Sequence, residues 1–223
     1  MRVEGEGPAG KGGKKFVEMY TLLEAYFGDL GWWPAGSDFE VVVGAILTQN
    51  TAWTNVEKAI CRLKSRGFLD PRKIERAAMS RLSDLIRPAG YHRLKAFRLK
   101  EISRFIMSEC GGDFGKMKRR SCEALRVKLL SVNGVGPETA DSILLYALGK
   151  PVFVVDAYSR RIFSRHGLGK EGDPYDAVSS RVMWHFPRDR RALNQFHALL
   201  VETAKRFCKK RAPLCGECPL KGV

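Results

Sequence analysis

Hydrophobic residues recur three and four positions apart along most of this chain, the spacing of one helix face rather than of a strand. Phe16, Met19, Tyr20, Leu23 and Phe27 set that period over 16–28, and Gly28 ends it. The same spacing, bounded by Gly, Pro, Asp or Ser, predicts helices at about 54–66, 71–78, 80–87, 92–109, 121–131 and 189–207. The stretch FEVVVGAILTQ (39–49) has a β-branched run that suits a strand as well as a helix. Ser37 and Glu40 fit a capping box, with Glu40 reaching back, and decide for a buried helix. Pro137 at a first helical position, Gly149 past a last one and then Pro151 bracket PETADSILLYAL (137–148). VFVV (152–155) reads as a short extended run, and Asp156 as the N-cap of the helix that follows. The pattern predicts an all-α protein, without internal repeats or a low-complexity linker after residue 15.

Composition narrows the class. A chain of 223 residues, 44% hydrophobic, can bury a real core as one large or two small domains. No apolar run approaches the ~20 residues that cross a bilayer. Residues 1–14 lack the apolar segment of a signal peptide and read as a flexible basic arm, so a cytoplasmic location and no membrane partner are expected. Thirty-nine Lys and Arg against 24 Asp and Glu leave a net charge of +15, which suits a polyanionic partner. Charge alone favours a nucleic acid only moderately over a basic protein with no such partner. Of six cysteines, Cys61, Cys110 and Cys122 fall in helical segments and read as reduced core residues. Cys208, Cys215 and Cys218 crowd into eleven residues, a spacing for metal ligation rather than disulfides.

LLSVNGVGPETA joins two predicted helices by a loop too short for a wide turn. Gly134 and Gly136 permit positive φ and leave the backbone amides bare. Those amides and the positive end of the next helix suit a phosphate oxygen. An ordinary tight connection would read the same way. The full stretch L-x-x-V-x-G-V-G-x-x-T-A-D, then a helix, then V-V-D, resembles the helix–hairpin–helix and Gly/Pro-Asp signature of the endonuclease III superfamily of DNA glycosylases. LTQNT (47–51), AGYHRLKA (89–96) and the terminal C-x6-C-x2-C extend that resemblance over about residues 16–223. It implies two all-α domains with a DNA-binding cleft between them. Residues 38–150 would form a six-helix domain containing the hairpin, and 15–37 with 151–223 the other. It also implies double-stranded DNA with a damaged base as partner, and a monomer.

An N-cap aspartate needs no purpose beyond its helix. Capping also keeps a carboxylate ionised, which suits an anion that stabilises an oxocarbenium-like sugar better than a proton-abstracting base. The resemblance makes Asp156 catalytic, steadying the sugar cation and orienting water. Bifunctional relatives carry a lysine two residues after the second glycine; here Glu138 stands at that place in the reaction centre, and a carboxylate cannot form an imine. The expectation is a glycosylase without lyase activity, with Lys95 and Lys128 open as substitute amines. Core packing is the usual fate of tryptophan. WWP followed by LTQNT and an aromatic nonetheless resembles the endonuclease III-like 3-methyladenine DNA glycosylases, in which these segments sandwich the flipped base. That assigns Trp32, Trp33, Pro34 and Trp53 to a base pocket, where indole faces would attract a cationic alkylated purine. Asn50 and Tyr91 match family positions that wedge into the duplex. Gln49, His92, Gly134, Val135, Gly136 and Thr139 complete the expected DNA contacts.

Cys208, Cys215 and Cys218 reproduce three cysteines of the family's [4Fe–4S] loop, whose pattern puts the fourth one position past Val223. Zinc, or no metal, is the alternative. Two further readings stay open for the whole chain. One keeps the fold but acts on uracil or thymine mispairs or oxidised pyrimidines, with or without lyase activity; the other is a non-catalytic DNA-binding module.

Overall fold

The computed structural model describes residues 12–223; residues 1–11, most of the expected basic arm, lie outside the described residues. All regular elements among the described residues are helical: α1 (Gly12–Phe27), α2 (Asp38–Leu47), α3 (Trp53–Ser65), α4 (Pro71–Arg76), α5 (Met79–Leu85), α6 (His92–Cys110), α7 (Phe114–Lys118), α8 (Cys122–Leu130), α9 (Pro137–Ser142), α10 (Ala157–Arg165), α11 (Tyr175–His185) and α12 (Arg190–Arg206). A 3-10 turn (Arg87–Ala89) precedes α6, and a π-helical turn (Ile143–Ala147) continues α9. Gly12–Lys14, placed in the arm by the sequence, already form the first turn of α1. No helix among the described residues is long and apolar enough to cross a membrane. The described residues divide into two compact units, those up to Trp32 with Val152–Val223, and Trp33–Pro151.

The first unit closes over aromatic rings. Phe16 of α1 meets Phe163 of α10 edge-on at 5.2 Å, and Phe196 of α12 stacks on Phe186 at 4.7 Å. Phe153 lies about equally close to Phe163 and Phe196, at 6.0 and 5.8 Å. Phe153 belongs to the buried extended run Val152–Val155, which has no sheet to satisfy its backbone. Side chains of α11 do so instead: Val155 N–H donates to Tyr175 Oη (3.2 Å), and Ser179 Oγ donates to the Phe153 carbonyl (2.9 Å). Neither α11 nor α7 is visible in the apolar pattern. α11 buries only Val178, Ser179 and Val182, a stripe too faint to show a period, and α7 is barely more than one turn.

In the second unit α2 is enclosed on every side, with Phe39–Leu47 all buried. Burial all round, rather than amphipathic periodicity, explains its run of three valines. Ser37 Oγ accepts from Glu40 N–H (3.1 Å) as expected, but Glu40 Oε2 accepts from Gly36 N–H (3.1 Å), one residue before the partner a capping box predicts. Arg126 of α8 holds the fully buried Asp141 of α9 through two hydrogen bonds (2.7 and 3.3 Å), fixing the helices on either side of the glycine loop. Cys110 is buried, Cys122 is half-buried and Cys61 is exposed. The core assignment therefore fails for Cys61, whose neighbours Val56, Ala59, Ile60 and Leu63 take the buried face of α3.

Candidate active site and nucleic-acid interface

The hairpin loop is shaped by one glycine and exposed by the other. Gly134 sits at φ +86°, and a Cβ there would collide with the Arg98 side chain (2.7 Å from Cδ). Gly136 is extended (φ −92°, ψ 179°), so the expectation of positive φ holds for Gly134 alone. No atom lies within 4 Å of a Cβ built on Gly136. Its absence keeps the loop amides open, and neither glycine N–H finds an acceptor among the described residues. Val135 is buried, and its N–H already donates to the Val132 carbonyl (3.0 Å), so the open amides of this loop are those of the two glycines.

Gln49 and Thr139, expected at DNA, brace this loop from within. Gln49 Nε2 donates to the Gly134 carbonyl (3.0 Å) and to Thr139 Oγ1 (2.9 Å), while Arg98 Nη1 donates to Gln49 Oε1 (2.5 Å). Asn50, one residue on, is exposed in a left-handed conformation (φ 53°). Tyr91 is exposed and left-handed too (φ 43°) at the start of α6. Only Ala212 shares that conformation among the other described non-glycine residues. Left-handed backbone costs an L-residue about 1–2 kcal/mol and persists where the surroundings impose it, often at functional sites. His92 pairs its Nδ1 with Ser83 Oγ (2.6 Å), which anchors the same turn.

The indoles form a cluster of a different shape from the expected sandwich. Trp33 meets Trp53 edge-to-face at 5.0 Å with the rings perpendicular, and meets Tyr146 at 5.1 Å. Perpendicular planes in contact cannot hold a flat base between them. Trp33 lies against the backbone of α2 because residue 44 is glycine: a Cβ there would stand 2.9 Å from Trp33 Cζ2. Neither Tyr146 nor Gly44 carries a motif; a glycine inside a helix buried all round is the available signal. Trp32 belongs to the first unit, under Lys205 Nζ (5.5 Å from the ring centre), and lines a cavity of about 420 Å³ with Asp29, Asn194 and Gln195. Pro34 is exposed.

Asp156 caps α10 in a reciprocal box: Ser159 N–H donates to Asp156 Oδ1 (2.7 Å), and Asp156 N–H donates to Ser159 Oγ (2.9 Å). Its side chain retains 13% exposure, and His197 Nε2 of α12 stands 3.6 Å from Oδ2. Burial pushes the carboxyl pKa up, but His197 and Ser159 outweigh burial and hold it below the usual value. The result is a fixed, nearly enclosed anion. His197 carries no motif signature and only the fold reveals it.

Glu138 is exposed in the first turn of α9. Lys128 is engaged with both oxygens of Glu109 (3.0 and 2.7 Å). Lys95 is buried among three oxygen acceptors; burial, then the Arg98 charge, lowers its pKa to about 8. Cys208, Cys215 and Cys218 line one cavity of about 240 Å³ beside His166. Among the described residues no three His, Cys, Asp or Glu side chains gather to hold a metal ion, and three thiols are one fewer than a [4Fe–4S] cluster takes. The described residues do not form a cluster site by themselves.

Known proteins carry the same pattern. The profile of the HhH-GPD superfamily base excision DNA repair proteins matches residues 43–187. A protein of Methanocaldococcus jannaschii whose name places it among DNA repair glycosylases is 48% identical over 205 residues, 92% of this chain and 93% of its own length. Endonuclease III of Thermotoga maritima is 33% identical, covering 82% of this chain and 80% of itself. The crystal structure of H. pylori 3-methyladenine DNA glycosylase bound to 1,N6-ethenoadenine superposes with a TM-score of 0.73 at 29% identity, covering 87% of this chain and 97% of that one. With the glycine hairpin, the capped aspartate and the all-helical fold in place, the chain belongs to the HhH-GPD superfamily of base excision DNA repair proteins.

Proposed function

We propose that this chain, a DNA glycosylase of base excision repair, releases alkylated purines such as 3-methyladenine and leaves the sugar–phosphate backbone intact. The observation that carries the choice of base is the Trp33–Trp53–Tyr146 cluster seated on Gly44. Electron-rich ring faces attract a purine made cationic by alkylation. Such a base already leaves readily, so stacking and a fixed anion suffice. The likeness to a 3-methyladenine glycosylase supports the same reading.

The reaction breaks the C1′–N bond, the bonding electrons leave with the base, and the sugar becomes an electron-poor oxocarbenium. Asp156 stabilises that cation and orients the water that adds to C1′; the proton released passes to solvent. Gly134 and Gly136 present amides to a phosphate, and Asn50 and Tyr91 fill the space the extruded nucleotide vacates. The absence of lyase chemistry rests on Glu138 at the lysine position and on the engagement of Lys95 and Lys128 elsewhere. Chromatography of bases released from methylated DNA, beside oligonucleotides containing uracil or thymine glycol, tests the substrate. Release of pyrimidines with no methylated purine overturns it.

Similarity to a thymine/uracil-DNA glycosylase of Pyrobaculum aerophilum, 29% identical over 96% of this chain, keeps a second reading in view, action on uracil or thymine mispairs or oxidised pyrimidines. Borohydride added during turnover decides the lyase question: a trapped covalent adduct refutes monofunctional hydrolysis. The [4Fe–4S] reading of Cys208, Cys215 and Cys218 rests on their spacing, and iron and sulfide analysis of the native protein tests it. Action as a monomer is checked by sedimentation.

A further inference from the structure

No lysine or arginine among the described residues is buried except Lys95, at 1% exposure. An ammonium taken out of water costs several kcal/mol unless every N–H is matched. Here the match is complete: Nζ donates to the Leu47 carbonyl (2.8 Å), to Thr51 Oγ1 (2.5 Å) and to the Ala89 carbonyl (2.9 Å). Thr51 Oγ1 in turn donates to the Ala89 carbonyl (2.6 Å), and the Lys95 backbone N–H donates to the Tyr91 carbonyl (2.9 Å). These acceptors belong to two turns far apart in sequence, 47–51 and 89–91. Each turn carries one exposed non-glycine residue in a left-handed conformation, Asn50 beside Thr51, and Tyr91 itself. A leucine or methionine would fill the space without desolvating a charge. What the cation adds is a rigid tie between two strained turns.

The geometry points to Lys95, acting through Thr51, as a positioning residue that clamps the turns bearing Asn50 and Tyr91 into a single wedge for the DNA duplex. The clamp rests on the reading of Asn50 and Tyr91 as residues that enter the duplex; Lys95 and Thr51 themselves touch no DNA. Without the tie each turn is free to leave its left-handed conformation, and the wedge has to be ordered at the moment of binding.

Lys95→Met removes the tie altogether and takes the Lys95 donor from the Leu47 carbonyl, which endangers the fold, so Thr51→Val carries the test, with Thr51→Ser as the conservative rescue. The probe is a duplex holding a tetrahydrofuran abasic analogue opposite 2-aminopurine, compared with the same duplex intact. The wild-type protein is expected to prefer the abasic duplex and to change 2-aminopurine fluorescence as the wedge fills the gap. Thr51→Val should lose that fluorescence change and most of the preference, about tenfold, while binding intact duplex as before; it leaves one N–H of the buried ammonium unmatched, so it should stay folded but unfold roughly 3–12 °C below wild type. Thr51→Ser should restore both. A folded Thr51→Val protein with undiminished preference and fluorescence overturns the clamp. So does an equal loss on both duplexes, the mark of a merely structural role. No preference in the wild type refutes the wedge itself, and the clamp with it, a result distinct from failure of Thr51→Val alone.

Discussion

Replacing each hairpin glycine by alanine separates what shapes the loop from what keeps its amides open. At Gly134, alanine must hold φ +86°, which costs about 1–2 kcal/mol. Its Cβ also falls on the Arg98 side chain, which must swing away from Gln49 Oε1. A hydrogen bond to a charged group is worth roughly 1.5–3 kcal/mol, and losing it loosens the Gln49 contacts to the Gly134 carbonyl and Thr139. Alanine also restricts the unfolded chain, which returns about 0.4–1 kcal/mol. The net expectation is a loss of about 1.5–4.5 kcal/mol, centred near 3, or roughly 6–12 °C in Tm at the centre for a chain of this size. At Gly136 the backbone is extended and the space around a Cβ is empty, so alanine should change stability by about 1 kcal/mol or less. That same methyl stands beside the open amides and should weaken duplex binding about tenfold. Urea denaturation measures the first quantity, and fluorescence anisotropy on undamaged duplex at fixed salt the second. A Gly134→Ala protein as stable as wild type, or a Gly136→Ala protein that binds DNA undiminished, refutes the assignment of one glycine to shape and the other to access.

Asp156→Asn should lower the excision rate at least about a hundredfold with duplex affinity retained; excision unchanged ends the catalytic assignment. The folded carboxyl has a lowered pKa, so its contribution to stability is present above the ordinary carboxylate value and is lost as pH falls through the folded one. The stability gap between wild type and Asp156→Asn should accordingly shrink on acidification in urea titrations, and a gap that widens contradicts the direction of the shift. Tyr91→Gly removes left-handed strain and should leave stability within about 1 kcal/mol, while excision from duplex drops more than from single strands; equal rates on both rule out a wedge. Gly44→Ala should raise local helix propensity by about 1 kcal/mol yet displace Trp33, which raises KM for alkylated-purine release with little change in binding to undamaged duplex. An unaltered KM would detach Trp33 from base recognition.

How far the site was legible follows the range of the forces that make it. Capping depends on groups within three or four residues, so Ser37 and Asp156 and the Pro137 start could be placed from local chemistry, and the coordinates put them there. The capping box at Ser37 shows where this ends: Glu40 reached Gly36, a choice set by backbone geometry and not by residue type. Cys61 lies in an amphipathic helix, off the stripe of Val56, Ala59, Ile60 and Leu63 that α3 buries, and residue type alone misplaced it. The indoles were recognisable as a group, but their angle depends on Gly44 and Tyr146, which share no motif with them.

By itself, then, the sequence determined the helical class, the short glycine loop between two helices and the identity of the capped acid, because each is written in neighbours along the chain. The tertiary structure alone decided that His197 faces Asp156, that Gln49 and Thr139 brace the loop, and that one buried lysine joins two left-handed turns. Those outcomes depend on desolvation and on hydrogen bonds between residues distant in sequence, which no local spacing encodes.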